Sequence, residues 1–249
     1  MLKVTLITAT GKRHLLTGTE SESAVLAPEA AFETLVAETS RADQEVPSRA
    51  GVLAGRTRFG ALERDIEFYL HAETGEEMEK VYKQFRQGFS LWDAKRRPRP
   101  KPALLELVTD HPAGPLYLEV WLSRPLPGAP VDMSKRTSTT VTAALFNPDG
   151  LFRTATVRAT DVVRVENLGD EIIYPRLEGV ASGGVVTVPS GARFEWPSTG
   201  SPVSVSLDPQ ELRLPGAFPE GVPPGSAGTY RVPKGVTVSY STLYADPWA

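Results

Sequence analysis

Three histidines, 30 acidic side chains and no cysteine are the groups from which this chain would have to build a reactive centre. His14, His71 and His111 lie far apart in sequence, and no pair has the spacing that puts two imidazoles on one helix face. Without cysteine there is no thiolate to complete a metal site, no disulfide and no sulfur nucleophile. No serine stands in a Gly-x-Ser-x-Gly elbow, and no Gly-Lys-Ser/Thr loop is present to cradle a phosphate. Gly51, Gly55 and Gly60 are too loosely spaced for a dinucleotide fingerprint and read as turn glycines. Of the carboxylate pairs, Glu76-Glu77 opens a helix, where negative charge favours the macrodipole. Gly169-Asp170-Glu171 and Asp149-Gly150 read as turns. A glycosidase pair dispersed along the chain would leave no spacing signal. On these residues the sequence assigns no catalytic, cofactor-binding or metal-ligating position, and the expected class is not an enzyme.

The densest charge is Lys95-Arg96-Arg97-Pro98-Arg99-Pro100-Lys101-Pro102. Cations at this density attract phosphate or an acidic partner surface, and the interleaved prolines favour an extended backbone. Three readings fit: a solvated loop, a subunit or partner contact, and a nucleic-acid contact. Lys95, Arg96, Arg97, Arg99 and Lys101 are the candidate subunit or partner contacts.

One segment must be helical. Thr74 and Glu77 form a capping box, and Met78, Val81, Tyr82, Phe85, Phe89 and Trp92 recur at steps of three or four. The spacing predicts a helix over about Gly75 to Leu91, its apolar stripe packed on strands carrying Ile66-Phe68-Leu70 and Leu118-Val120. Strands are expected where apolar and polar residues alternate. Over Arg64–His71, Ile66, Phe68 and Leu70 face one way and Asp65, Glu67 and Tyr69 the other. Leu116–Leu122, Leu104–Val108, Thr137–Leu145, Val162–Val165, Val185–Val188, Val203–Leu207 and Val236–Val238 also read as strands. Glu29–Ser40 is ambiguous, its alanines favouring helix and its Phe32, Thr34 and Val36 alternation favouring strand.

With 249 residues, there is room for one large domain or two modest ones. The 21 glycines and 22 prolines favour short strands and frequent turns over a helical bundle. The net charge of −3 argues against a dedicated nucleic-acid binder. No apolar run reaches the ~18 residues of a membrane span, and Met1–Thr8 reads as a strand rather than a signal peptide. The pattern changes near Asn147-Pro148-Asp149-Gly150, so the expected organisation is an α+β domain over 1–150 and an all-β domain over 151–249.

The order of these features resembles the distal tail proteins of long, non-contractile-tailed bacteriophages. Carrying this are the Gly51–Gly60 approach to the strand Arg64–Leu70 and the Thr74-capped helix after it. Asn147-Pro148-Asp149-Gly150-Leu151-Phe152 is similar to the junction that closes the family's first domain. Asn167-Leu168-Gly169-Asp170, followed by Tyr174-Pro175-Arg176, is similar to its Asn-x-Gly-Asp turn and Pro-started strand. Tyr244-Ala245-Asp246-Pro247-Trp248 is similar to the family's aromatic endings. The Pro-rich Arg96–Pro102 and the Pro/Gly-rich Leu214–Pro233 depart from that pattern.

The resemblance implies a mainly β chain with one helix: an N-terminal ring-forming α+β domain, then a C-terminal, galectin-like β-sandwich. It implies a homo-hexameric ring in the virion tail, assembled in the host cytoplasm, joining tail tube protein to tail-tip proteins around a channel for DNA. No cofactor and no membrane anchor are implied. The alternative is a carbohydrate-binding or adhesion module acting through the sandwich, with Phe194, Trp196, Tyr230 and Trp248 as candidate stacking rings.

Overall fold

A computed structural model describes residues 2–17, 23–45, 50, 52–93, 100–128, 132–180 and 182–249. The chain is mainly β and divides into two compact units, Met1–Phe152 with Ala245–Ala249, and Arg153–Tyr244. The last five residues thus belong with the first unit, although the sequence reading placed all of 151–249 in the second. Thr109 Oγ1 helps to hold them, donating to the Pro247 carbonyl at 3.0 Å.

The first unit opens with β1 (Lys3–Ile7), β2 (Arg13–Leu15), β3 (Val25–Leu26) and the short helix α1 (Ala30–Glu33). Next come β4 (Thr39–Arg41), β5 (Gln44–Glu45), β6 (Val52–Leu53) and β7 (Thr57–Phe59). The long strand β8 (Leu62–His71) leads to helix α2 (Gly75–Gln87), β9 (Ala103–Val108), β10 (Leu116–Leu122) and β11 (Ser138–Asn147). Seven of these strands hydrogen-bond in the order β2-β1-β9-β10-β11-β8-β3. The Ala27 N–H donates to Leu16 O at 3.1 Å, drawing the end of β3 round to β2, and the sheet curls into a near-barrel.

Alternation decides what the barrel encloses. Along β8, Leu62, Ile66, Phe68 and Leu70 are buried while Glu63, Asp65, Glu67 and Tyr69 are exposed. Leu105, Leu107, Leu118 and Val120 add to the same core. Helix α2 begins where Thr74 accepts from the Glu77 N–H at 3.3 Å. It ends near Gly88, three residues short of the expected limit, yet the apolar stripe continues past it. Met78, Tyr82, Phe85 and Phe89 are buried, and Val81 is half-buried. The Phe68, Phe85 and Phe89 rings pack at tilted to edge-on angles with centroid distances of 5.2–6.1 Å. Trp92, expected on the helix, lies beyond it and packs edge-on against Trp121 at 4.9 Å.

The ambiguous Glu29–Ser40 stretch resolves into one helical turn, α1, an irregular run and the exposed strand β4. Phe32 and Leu35 are fully buried, so its apolar residues serve burial rather than a period.

The two-residue β12 (Phe152–Arg153) spans the division between the units. The second unit then contains β13 (Val157–Thr160), β14 (Val162–Glu166), β15 (Arg176–Val180), β16 (Val185–Thr187), β17 (Arg193–Glu195), β18 (Pro202–Ser206), β19 (Ala227–Arg231) and β20 (Val236–Tyr240). They form two four-stranded sheets, β13-β20-β15-β18 and β14-β19-β16-β17. Between them lies one apolar core that includes Val165, Leu177, Val186, Trp196, Leu207, Tyr230 and Val238. That arrangement is a β-sandwich. The chain passes from one sheet to the other between β13 and β14 through Asp161 alone, a left-handed residue at φ 66°.

Candidate functional site

Among the described residues, no three His, Asp or Glu side chains are grouped to hold a metal ion, and no helix is long and apolar enough to cross a membrane. Each histidine has a structural setting. His14 is buried, and burial, with Lys12 nearby, lowers its pKa from 6.5 to about 4. His71 bonds the Ser23 carbonyl through Nε2 at 2.9 Å and stacks on Tyr69. His111 accepts from the Ala113 N–H at Nδ1.

The two Asn-containing motifs are structural turns built on buried asparagines. Asn147 donates to Glu119 O at 2.7 Å and accepts from the Asp149 and Gly150 N–H groups. Gly150 has φ +65°, and a Cβ there would meet Gly60 O at 2.1 Å. Asn167 is fully buried, donates to Glu171 O and Val222 O, and accepts from the Gly169 N–H at 3.0 Å. A Cβ on Gly169 would meet Leu243 O at 2.3 Å. Each asparagine thereby ties chain segments distant in sequence, and the glycine beside it admits the close approach.

Of the five basic candidates, Lys95, Arg96, Arg97 and Arg99 lie outside the described residues. Lys101 is exposed just ahead of β9. Of the candidate stacking rings, Phe194, Trp196 and Tyr230 are core residues of the sandwich. Trp196 Nε1 donates to Val180 O at 3.1 Å, and the Tyr230 hydroxyl donates to Glu220 O at 3.0 Å. Burial, with Glu220 close by, raises the Tyr230 pKa well above the usual phenol value. These three rings face the core because their strands alternate, so no ligand stacks on them. Trp248 is 41% exposed but belongs to the first unit.

Two exposed surfaces of the first unit stand out. The first is an arm. β4 pairs with β7 and β5 with β6, and the Gly60 N–H closes the base on Glu38 O at 2.8 Å. Thr39, Ser40, Arg41, Gln44, Glu45, Leu53, Thr57 and Arg58 are all exposed, with Leu53 at 55%. A two-stranded ribbon without a covered face is at best marginally stable in water. Arg41 with Asp43, and Asp43 with the Gly55 N–H at 2.9 Å, pin its middle. Sequence reading missed the arm because its strands carry no apolar period; Gly51–Gly60 read only as an approach to β8.

The second surface is the solvent face of β8 and β11. Glu63, Asp65 and Glu67 project there in alternation, opposite Phe146, Ala144 and Thr142. Asp65 is paired with Arg124 at 2.7 Å. The carboxylates make an exposed stripe along β8 beside an exposed Thr142, a buried Ala144 and a half-buried Phe146 on β11; Asp65 and Glu67 of that stripe were legible in the sequence as the polar half of the Arg64–His71 alternation.

No family model matches the sequence, and no curated protein matches it. Solved structures do match. A chain of the phage P2 baseplate in its activated conformation with Ca has 8% identity and a TM-score of 0.54, over 97% of this chain and 98% of that one. A chain of the phage p2 baseplate in its activated conformation with Sr has 9% identity and a TM-score of 0.53, over 100% of both. The chain has the fold of a phage baseplate protein. The baseplate fold spans both compact units rather than either alone. The Dit protein of phage SPP1, described as a paradigm of the hub adsorption apparatus in phages that infect Gram-positive hosts, aligns over 96% of this chain. Its identity is 10% and its TM-score 0.48.

Proposed function

We propose that this chain is a distal tail protein, a structural component of a bacteriophage tail tip. Six copies form a ring through the first unit, joining the tail tube to tip or baseplate proteins and leaving a channel for DNA. The observation that carries this reading is the baseplate fold, shared end to end and in both units. The sequence resemblance supports it independently through the Thr74-capped helix and the two asparagine turns.

The arm supplies a physical reason for assembly. Its uncovered strands gain a packed face only against another molecule, and a ring gives every copy the same neighbour. The carboxylate stripe of β8 fits a channel wall. Cations on the wall would neutralise phosphates and hold DNA by counterion release, multiplied sixfold around a ring. Glu63 and Glu67 do the reverse. The basic candidates Lys95, Arg96, Arg97, Arg99 and Lys101 then belong to a subunit or partner contact and not to a continuous channel lining. The ring assembles in the host cytoplasm and remains in the virion.

Two measurements test this reading. Light scattering and particle images of the purified chain, alone and with tail tube protein, should give rings of six. A chain that stays monomeric in both conditions and in assembled tails rules the ring out. Replacing Arg97 and Arg99 with Ser should weaken assembly and leave duplex-DNA binding at background. Tight, salt-sensitive DNA binding lost in that variant would instead point to a nucleic-acid role.

A further inference from the structure

The apolar stripe of α2 is wider than the core beneath it. Met78, Tyr82 and Phe85 are buried, but Val81, at the edge of the same stripe, is only half-buried. Val81 lines a groove of about 400 Å³, where the helix passes the end of β8. Ala24 and Ala72 lie there with it, both half-buried, together with exposed Glu73, Glu77 and Lys80. Among the described residues, the Glu73 and Glu77 side chains make no hydrogen bond and no ion pair. The groove therefore offers small apolar side chains flanked by carboxylates that outnumber the one ammonium.

The arm has the complementary chemistry. From Thr39 to Phe59 the sequence holds Arg41, Arg49, Arg56 and Arg58 against Asp43 and Glu45, a net +2 on a chain whose total is −3. Leu53, an exposed apolar side chain on this polar ribbon, stands opposite Gln44. A protein contact commonly buries an apolar centre inside a polar rim, and arginine is enriched in such contacts.

Placement agrees with chemistry. The bond from the Gly60 N–H to Glu38 O fixes the arm's base just before β8 begins at Leu62, and the groove lies where β8 ends at His71. Nine residue steps of about 3.3 Å put roughly 30 Å between the two. A closed ring needs two different patches on every copy, one for each neighbour. The two ends of β8 supply such a pair, a projecting ribbon at one and a receiving groove at the other.

We propose that the arm of each copy lies in the α2 groove of the next copy, with Leu53 against Ala24, Ala72 and Val81 and arm arginines facing Glu73 and Glu77. This pairing rests on the ring assembly proposed above and names the surface that receives the arm. The contact runs head to tail, so every arm and every groove is filled once the last copy closes the ring.

The test uses the full chain, assembled with tail tube protein. The chain has no cysteine, so introduced thiols are the only ones it carries. Leu53→Cys and Val81→Cys are made singly and together, and a short bismaleimide is added after assembly. Denaturing gels of the double variant should show a ladder of linked chains reaching six. Each single variant should stay at the monomer mass, and a mixture of the two should stop at dimers. Gln84→Cys, at an exposed position of the same groove, takes the place of Val81→Cys if that variant melts early. Rings that form in full yield while neither cysteine pair links overturn the pairing and leave the ring itself standing. A link within one chain, or between two arms in Leu53→Cys alone, overturns the pairing equally. If the unaltered chain forms no ring with tail tube protein, the ring and the pairing both fail.

Discussion

Helix α2 and the arm are neighbours along the chain and opposites in physics. The helix completes its contacts within the chain: Met78, Tyr82 and Phe85 are buried, and Phe85 packs on Phe68 at 5.2 Å. The arm is held only by its own strand pairing and by Arg41 and Gly55 on Asp43, and every described residue of β4 and β5 is exposed. A two-stranded ribbon in water earns little stability by itself. The difference separates residues that hold the fold from residues that are free to make an assembly, and it predicts opposite responses to mutation.

The largest effect should come from the helix. Phe85→Ala should cost about 3–5 kcal/mol, read from denaturant unfolding, because a fully buried aromatic leaves a cavity the near-barrel cannot close. A loss near zero would mean that the helix is not part of the core. Next comes the second unit's turn. Asn167→Ala removes two donated bonds and one accepted bond in a buried setting, for about 2–4 kcal/mol. Asn167→Asp should also destabilise, since a carboxylate cannot donate to Glu171 O and Val222 O.

A smaller effect follows pH. His14 has a folded pKa near 4 against 6.5 unfolded, so protons bind the unfolded chain more tightly. The stability His14 contributes is fully present above pH 6.5 and is lost as pH falls from 6.5 through about 4. A melting-temperature profile over that window should flatten in His14→Gln. An equal slope in both proteins would contradict the buried neutral imidazole.

The same comparison explains what was legible in the sequence. The helix and β8 were, because burial of one face writes a period into the residues: Met78, Val81, Tyr82 and Phe85 in the first, Ile66, Phe68 and Leu70 in the second. The helix end was misplaced because Phe89 and Trp92 keep the spacing after the backbone has left the helix. The arm was not legible, because β4 and β5 bury no face within the chain and so carry no apolar period. The return of Ala245–Ala249 to the first unit was also missed, since it rests on long-range contacts such as the bond from Thr109 to Pro247 and carries no local signal. In the sandwich, the two-residue spacing of Phe194 and Trp196 already spoke for the core.

The smallest effect on stability should come from the arm itself, and there the effect on assembly should be complete. Residues 40–58 are replaced by a short Gly-Asn-Gly turn between Thr39 and Phe59, which pair at the arm's base. The melting temperature should change by no more than a few degrees, as expected for about 1 kcal/mol or less. The mass of the intact and arm-deleted chains is then measured by light scattering in the presence of tail tube protein. Six-subunit rings from the intact chain and only monomers from the shortened one are the predicted result. Rings of equal yield from both would show that the arm does not join the subunits.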